Sequence, residues 1–157
     1  MNTTKNNSSN GADDFRLTIS RIINAPCALV FRAWTEPDQL VQWWGPAEME
    51  CRSLQAEVKT GGAYRIHIVS PKGERIAFGK YTEIVPNRRV QFTWQWESYA
   101  MPDSVVTVDF EDLGKTTRLT LTHAGLPDAQ DVTEHNYGWS SLVEKFSGLM
   151  EQGKIKA

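Results

Sequence analysis

The spacing of its turns constrains this chain most. Between Met49 and His123 the stretches KTGG, PKGE, PNR and DLGK, with one further break near Pro102, separate six segments in which apolar and polar residues alternate. These segments are MECRSLQAEV, AYRIHIVS, RIAFGKYTEIV, RVQFTWQW, SVVTVDFE and TTRLTLTH. Connections this short join antiparallel neighbours, because parallel strands need a crossover of roughly a dozen residues or more. The segments therefore predict a continuous meander. From Asp128 to Gln152 the pattern changes to helical spacing, with Trp139, Leu142, Val143, Phe146 and Leu149 or Met150 on one face and Gly153 as the stop. A curved sheet that wraps one amphipathic helix encloses a concave apolar space, and small-molecule sites of ~300–1,000 Å³ favour such surfaces.

Upstream of the meander, FRLTISRII alternates with the period of a half-buried strand, Phe15, Leu17 and Ile19 on one side. NAPCALVFRAW follows, with Pro26 suited to the first turn of a helix and Val30, Phe31 and Trp34 as its apolar face. In a second short helix, Thr35 with Asp38 resembles a capping box, Pro37 sits in the first turn, and Gly45-Pro46 ends the segment after Trp44. The element order is strand, two short helices, six strands, one long helix: an α+β chain with about seven strands. Residues 1–14 are dominated by Asn, Ser, Thr and Asp and are expected to form a disordered polar tail; residues 15–153 form one domain.

Composition narrows the function. A chain of 157 residues, 40% hydrophobic and with a formal charge of -2, has no basic stripe for nucleic acid. No apolar run approaches the ~20 residues that span a bilayer, so no membrane insertion is expected and the chain reads as cytoplasmic. Cys27 and Cys51 form no CxxC pair and read as reduced and structural. His67, His123 and His135 are too scattered for a zinc site, and neither a metal nor a cofactor motif is present.

Several residues could line the expected cavity. Trp43 and Trp44 point roughly 100° apart on a helix, so one surface cannot easily bury both. Either one plugs the core and the other packs on the first strand, or one stands at the cavity mouth. In VQFTWQW the alternation sends Val90, Phe92, Trp94 and Trp96 to one face, which floors the cavity if it faces the helix. His123, in phase with Leu119 and Leu121, points inward, either to tie a loop at the strand end or to meet a ligand as hydrogen-bond partner, acid or base. Gly138 is expected to let the helix approach its neighbours closely beside Trp139. GWSSL lacks the second glycine of a nucleophile elbow, and the strand carboxylates Glu57, Glu83 and Asp109 read as mostly solvated, so no catalytic group is identified.

INAP before the first helix, WWGP after the second, Gly61-Gly62, VPNRRVQFTW, TRLTLTH and HNYGWSSL occur in one order from Ile23 to Leu142. In this ordered set the chain resembles the bacterial single-domain relatives of the Hsp90 ATPase activator, within the START-like or Bet v 1-like helix-grip superfamily. Glu57 and Lys59 keep the charge signs often found before the double glycine. The resemblance implies a helix-grip cavity. Its expected lining adds Tyr64 and Phe78 from the strands, and Val143 and Phe146 from the helix, to Trp43, Trp44, Phe92, Trp94, Trp96, His123 and Trp139. Binding of a small, largely hydrophobic molecule is the leading reading. Association with an Hsp90-type chaperone in a stress response and polyketide cyclase or aromatase-like catalysis are the alternatives, in a monomer or homodimer. The eukaryotic activator has another domain that engages the chaperone, and nothing in this sequence resembles it.

Overall fold

The computed structural model describes residues 15–157, so the expectation for the tail lies outside the described residues. The chain runs β1 (Leu17–Ile23), α1 (Cys27–Thr35), α2 (Pro37–Trp43), β2 (Glu50–Ala56), β3 (Ala63–Ser70), β4 (Gly73–Val85), β5 (Arg89–Trp96), β6 (Tyr99–Asp112), β7 (Thr117–Ala124) and α3 (Ala129–Glu151). Consecutive strands from β2 to β7 pair antiparallel, as their short turns dictate, and β1 pairs with β7 from Leu17↔His123 to Ile23↔Thr117. The seven-stranded order is β1-β7-β6-β5-β4-β3-β2. The two short helices thus carry the chain from one edge of the sheet to the other, and α3 packs on the sheet as the grip of a helix-grip fold.

Asp128 caps α3, its Oδ1 accepting the Asp131 backbone N–H at 2.8 Å. The helix buries His135, Trp139, Leu142, Val143 and Phe146. Facing them are inward strand residues such as Ile19, Leu121, Val106, Val108 and Phe92, all buried. Each such apolar side chain contributes roughly 1.5–3 kcal/mol relative to exposure, and this burial holds the helix against the sheet.

Three local devices shape the frame. Thr35 is the last residue of α1, and its hydroxyl donates to the Phe31 carbonyl at 2.8 Å, which corrects the capping-box expectation. Glu36, in extended conformation, precedes α2 without a side-chain cap. The hydroxyl is taken by the carbonyl four residues back because α1 extends through it.

The break expected near Pro102 is also corrected, since β5 turns directly into β6 with Trp96 opposite Tyr99. Pro102 lies where the β5–β6 register shifts and before β7 pairing begins at Val105↔Ala124, so its missing N–H interrupts no ladder. The Gln95 side chain substitutes there, donating to the Met101 carbonyl at 3.1 Å and accepting the Met101 N–H at 3.3 Å.

The double glycine docks the β2–β3 loop on β4. Gly61 N–H donates to the Tyr81 carbonyl and Tyr81 N–H to the Gly62 carbonyl, both at 2.8 Å. A Cβ at Gly62 would overlap the Glu57 carbonyl, so only glycine allows this approach. Cys27 and Cys51 are free thiols, and among the described residues no helix is long and apolar enough to cross a membrane.

Candidate functional site

Both indoles of the WWGP stretch are buried and pack on Trp34, with ring centroids 5.3 Å from each other, but only Trp44 also reaches the pocket. Trp43 packs between Trp34 and Phe146, with ring centroids 4.7 and 4.6 Å away, and its Nε1–H donates to the Ala33 carbonyl at 3.1 Å. Trp44 turns its ring edge to Trp139 at 5.9 Å and also approaches Trp94 at 6.4 Å. Gly45, at φ 112°, then ends the segment. Residues 45–49 are fastened to α3: Ala47 N–H donates to Ser141 Oγ at 2.8 Å, and Lys145 Nζ donates to the carbonyls of Pro46 at 3.4 Å and Met49 at 3.3 Å. Burial holds the Lys145 ammonium below the usual lysine range.

Between this loop, α3 and the sheet lies a pocket of about 100 Å³. Four of the six tryptophans, Trp44, Trp94, Trp96 and Trp139, form its walls. Pro46, Met49, Ile68 and Leu142 complete the apolar lining, and Arg75, Tyr99, Glu134 and His135 add polar groups to it. The volume is well below the ~300–1,000 Å³ expected from the fold. Indoles fill the difference: Trp94 stands 4.9 Å from Trp139 and 5.1 Å from Trp96, centroid to centroid. The pocket is smaller than the dry cavity of roughly 150 Å³ that holds benzene, so it suits at most one small ring.

The walls are fixed by two neutral imidazoles. Trp139 Nε1–H donates to His123 Nδ1 at 3.0 Å, leaving His123 Nε2–H to face Ser104 Oγ at 3.0 Å; Ser104 in turn donates to the Trp94 carbonyl at 2.7 Å. His135 has the opposite tautomer, with Nδ1–H on the Asp131 carbonyl at 2.8 Å and Nε2 accepting from Trp96 Nε1–H at 3.0 Å. Burial, reinforced by the nearby His135, pushes His123 down to about 3. Burial also lowers His135, against the raising effect of its Asp131 carbonyl bond. Ser104 and His123 are in contact but form no nucleophile–base pair, because the histidine nitrogen on the serine carries the proton. Trp94 Nε1–H is buried without a partner, on a ring that lines the pocket.

Of the residues expected to line a cavity, Trp44, Trp94, Trp96 and Trp139 meet at this pocket. His123 stands behind it, fully buried and committed to Trp139 and Ser104. Trp43, Phe92, Val143 and Phe146 are core, and Tyr64 packs on Tyr81 and Phe92 away from the opening. Phe78 is corrected outright: it is 39% exposed, on the opposite face of β4 from the buried Ala77 and Tyr81. Gly138 is corrected too. A Cβ there would meet nothing within 4 Å, so the glycine leaves space at the pocket wall rather than permitting close packing.

Arg75, Tyr99, Glu134 and His135 were not singled out as lining. Part of the signal was available, since Arg75 is in phase with inward Ala77 and Tyr81, and His135, Gly138, Trp139 and Leu142 follow helical spacing.

Residues 24–151 match the family described as Activator of Hsp90 ATPase homolog 1-like protein, and the chain belongs to that family. Among solved structures, protein CV1439 from Chromobacterium violaceum is 26% identical, with TM-score 0.79, and the match covers 87% of this chain and 96% of that one. The AHSA1 protein from Silicibacter pomeroyi is 25% identical, with TM-score 0.78, over 88% of this chain and 99% of its own. Protein NE0264 from Nitrosomonas europaea shares the fold at 21% identity and TM-score 0.75, over 90% and 97% of the two chains. No curated protein matches.

Proposed function

We propose that the protein binds a small, largely apolar molecule of about one ring in the tryptophan-walled pocket between α3 and the sheet. The observation that carries this reading is the glycine at position 138. A helix-interior glycine costs about 1 kcal/mol relative to alanine, and here the space it leaves open adjoins the pocket rather than a packed neighbour. Indole walls supply large apolar contact with few rotatable bonds, which suits recognition of a flat ring. Native mass spectrometry of freshly purified protein, before and after denaturation, tests for a retained molecule. Titration of tryptophan fluorescence with single-ring aromatics tests the pocket directly. A mass equal to the bare chain, together with no saturable fluorescence change for any ring, would sink the reading.

A second reading rests on the family description, which names an activator of Hsp90 ATPase. Association with an Hsp90-type chaperone is tested by capture of the purified chaperone on the immobilised protein. Absence of capture with and without nucleotide would remove it.

A further inference from the structure

The polar groups around the pocket are unequally committed. Among the acceptors around it, His135 Nε2 takes the Trp96 N–H, His123 Nδ1 the Trp139 N–H, Asp131 Oδ1 the Tyr99 hydroxyl at 3.3 Å, and Glu134 Oε2 the Gln130 side chain. Two donors are not so engaged. Trp94 Nε1–H has no partner, and Arg75 has no ion pair among the described residues. The Arg75 guanidinium lies instead over the Trp96 ring, with Cζ 4.2 Å from the centroid. A guanidinium that lies over a ring and has no ion pair keeps N–H donors free, and its planar fork can receive a carboxylate through two parallel hydrogen bonds.

Resting on the binding reading above, we propose that the ligand is a small aromatic carboxylate, its ring among the indoles of Trp44, Trp94 and Trp139 and its carboxylate on the Arg75 fork. Glu134 opposes this charge pattern from α3. Both side chains are exposed, so water and salt screen both charges; Glu134 is occupied by Gln130 Nε2 at 3.2 Å, whereas Arg75 has no ion pair among the described residues and is held over the Trp96 ring. The specificity determinant is therefore Arg75, and Glu134 weakens it.

Four single-ring probes of matched size test the assignment by fluorescence titration: phenylacetate, its neutral amide 2-phenylacetamide, 2-phenylethanol and 2-phenylethylamine. Phenylacetate is expected to bind about tenfold more tightly than either neutral probe, the low end of a charge-assisted contact. That preference should shrink in 0.5 M salt, disappear in Arg75→Gln, survive in reduced form in Arg75→Lys, and grow in Glu134→Gln. Arg75 is exposed on its strand, so the variants should fold as the parent does, which their thermal unfolding verifies. Equal affinity for the acid and the neutral probes, or tighter binding of the amine, overturns the carboxylate assignment and leaves ring binding in place. Failure of all four probes to bind overturns both.

Discussion

Gly138→Ala separates the pocket from the fold in one substitution. The residue lies near the middle of the 23-residue α3, where glycine costs about 1 kcal/mol of helix stability relative to alanine. The added methyl meets no atom within 4 Å, so no overpacking offsets the gain. The variant should be more stable by about 1 kcal/mol, a rise in Tm of roughly 2–4 °C for a chain of this size. The methyl also enters a pocket of only about 100 Å³, so affinity for a single-ring probe should fall, and Gly138→Leu should lower it further. Thermal unfolding and fluorescence titration on the same samples read both effects. Higher Tm with unchanged affinity would refute the pocket as the binding site. A lower Tm would show that the space beside Gly138 is already filled, and the reasoning would fail at its first step.

Other perturbations discriminate among neighbouring indoles and histidines. Trp43→Phe should lose about 1–3 kcal/mol in chemical denaturation, because it orphans the buried Ala33 carbonyl, while leaving probe affinity intact; Trp44→Phe should do the reverse, with a smaller stability loss and altered binding. Trp139→Phe strands the buried His123 Nδ1 and should cost roughly 1–3 kcal/mol, against about 3–5 for Trp139→Ala; near-neutral changes by thermal unfolding would undo the burial assignment. His123, held at about 3 in the fold against 6.5 as its reference, binds fewer protons folded than unfolded, so its contribution is complete above pH 6.5 and is lost as pH falls toward 3. Between pH 7 and 5 denaturation should reveal a loss of about 2 kcal/mol that His123→Gln reduces; an unchanged difference would mean that another group carries the acid sensitivity.

The sheet was legible because its turns are local. KTGG, PKGE, PNR and DLGK each fix one antiparallel neighbour without reference to the rest of the chain. The apolar face of α3 was legible for the same reason, as periodicity within one element. The site was only half legible, because it is assembled across elements. Ser104 and His123 meet through β6–β7 pairing, and Tyr99 reaches Asp131 from a strand whose start the proline at 102 concealed. Phe78 shows a different failure. The alternation through Arg75, Ala77 and Tyr81 places Phe78 on the far face of the strand, whatever its hydrophobicity. Arg75, in phase with Ala77 and Tyr81 but exposed, reads as solvated until the Trp96 ring beneath it is known.

The two histidines give the pocket wall a definite state. Each must be neutral, and each in its own tautomer, for an indole N–H to end on an imidazole acceptor. Their rings stand edge to face, 5.1 Å apart, so a proton on either would oppose a proton on the other. Protonating His135 at Nε2 would set two donors against each other at Trp96, and protonating His123 at Nδ1 would do the same at Trp139. The first of these changes acts at the ring on which Arg75 rests, and the second on the helix wall one residue from Gly138. Protonating the pair would therefore remove both indole N–H bonds at the pocket wall, one of them on the ring over which Arg75 lies. The same neutral pair that fixes Trp139 also fixes Trp96, the ring over which the Arg75 cation lies.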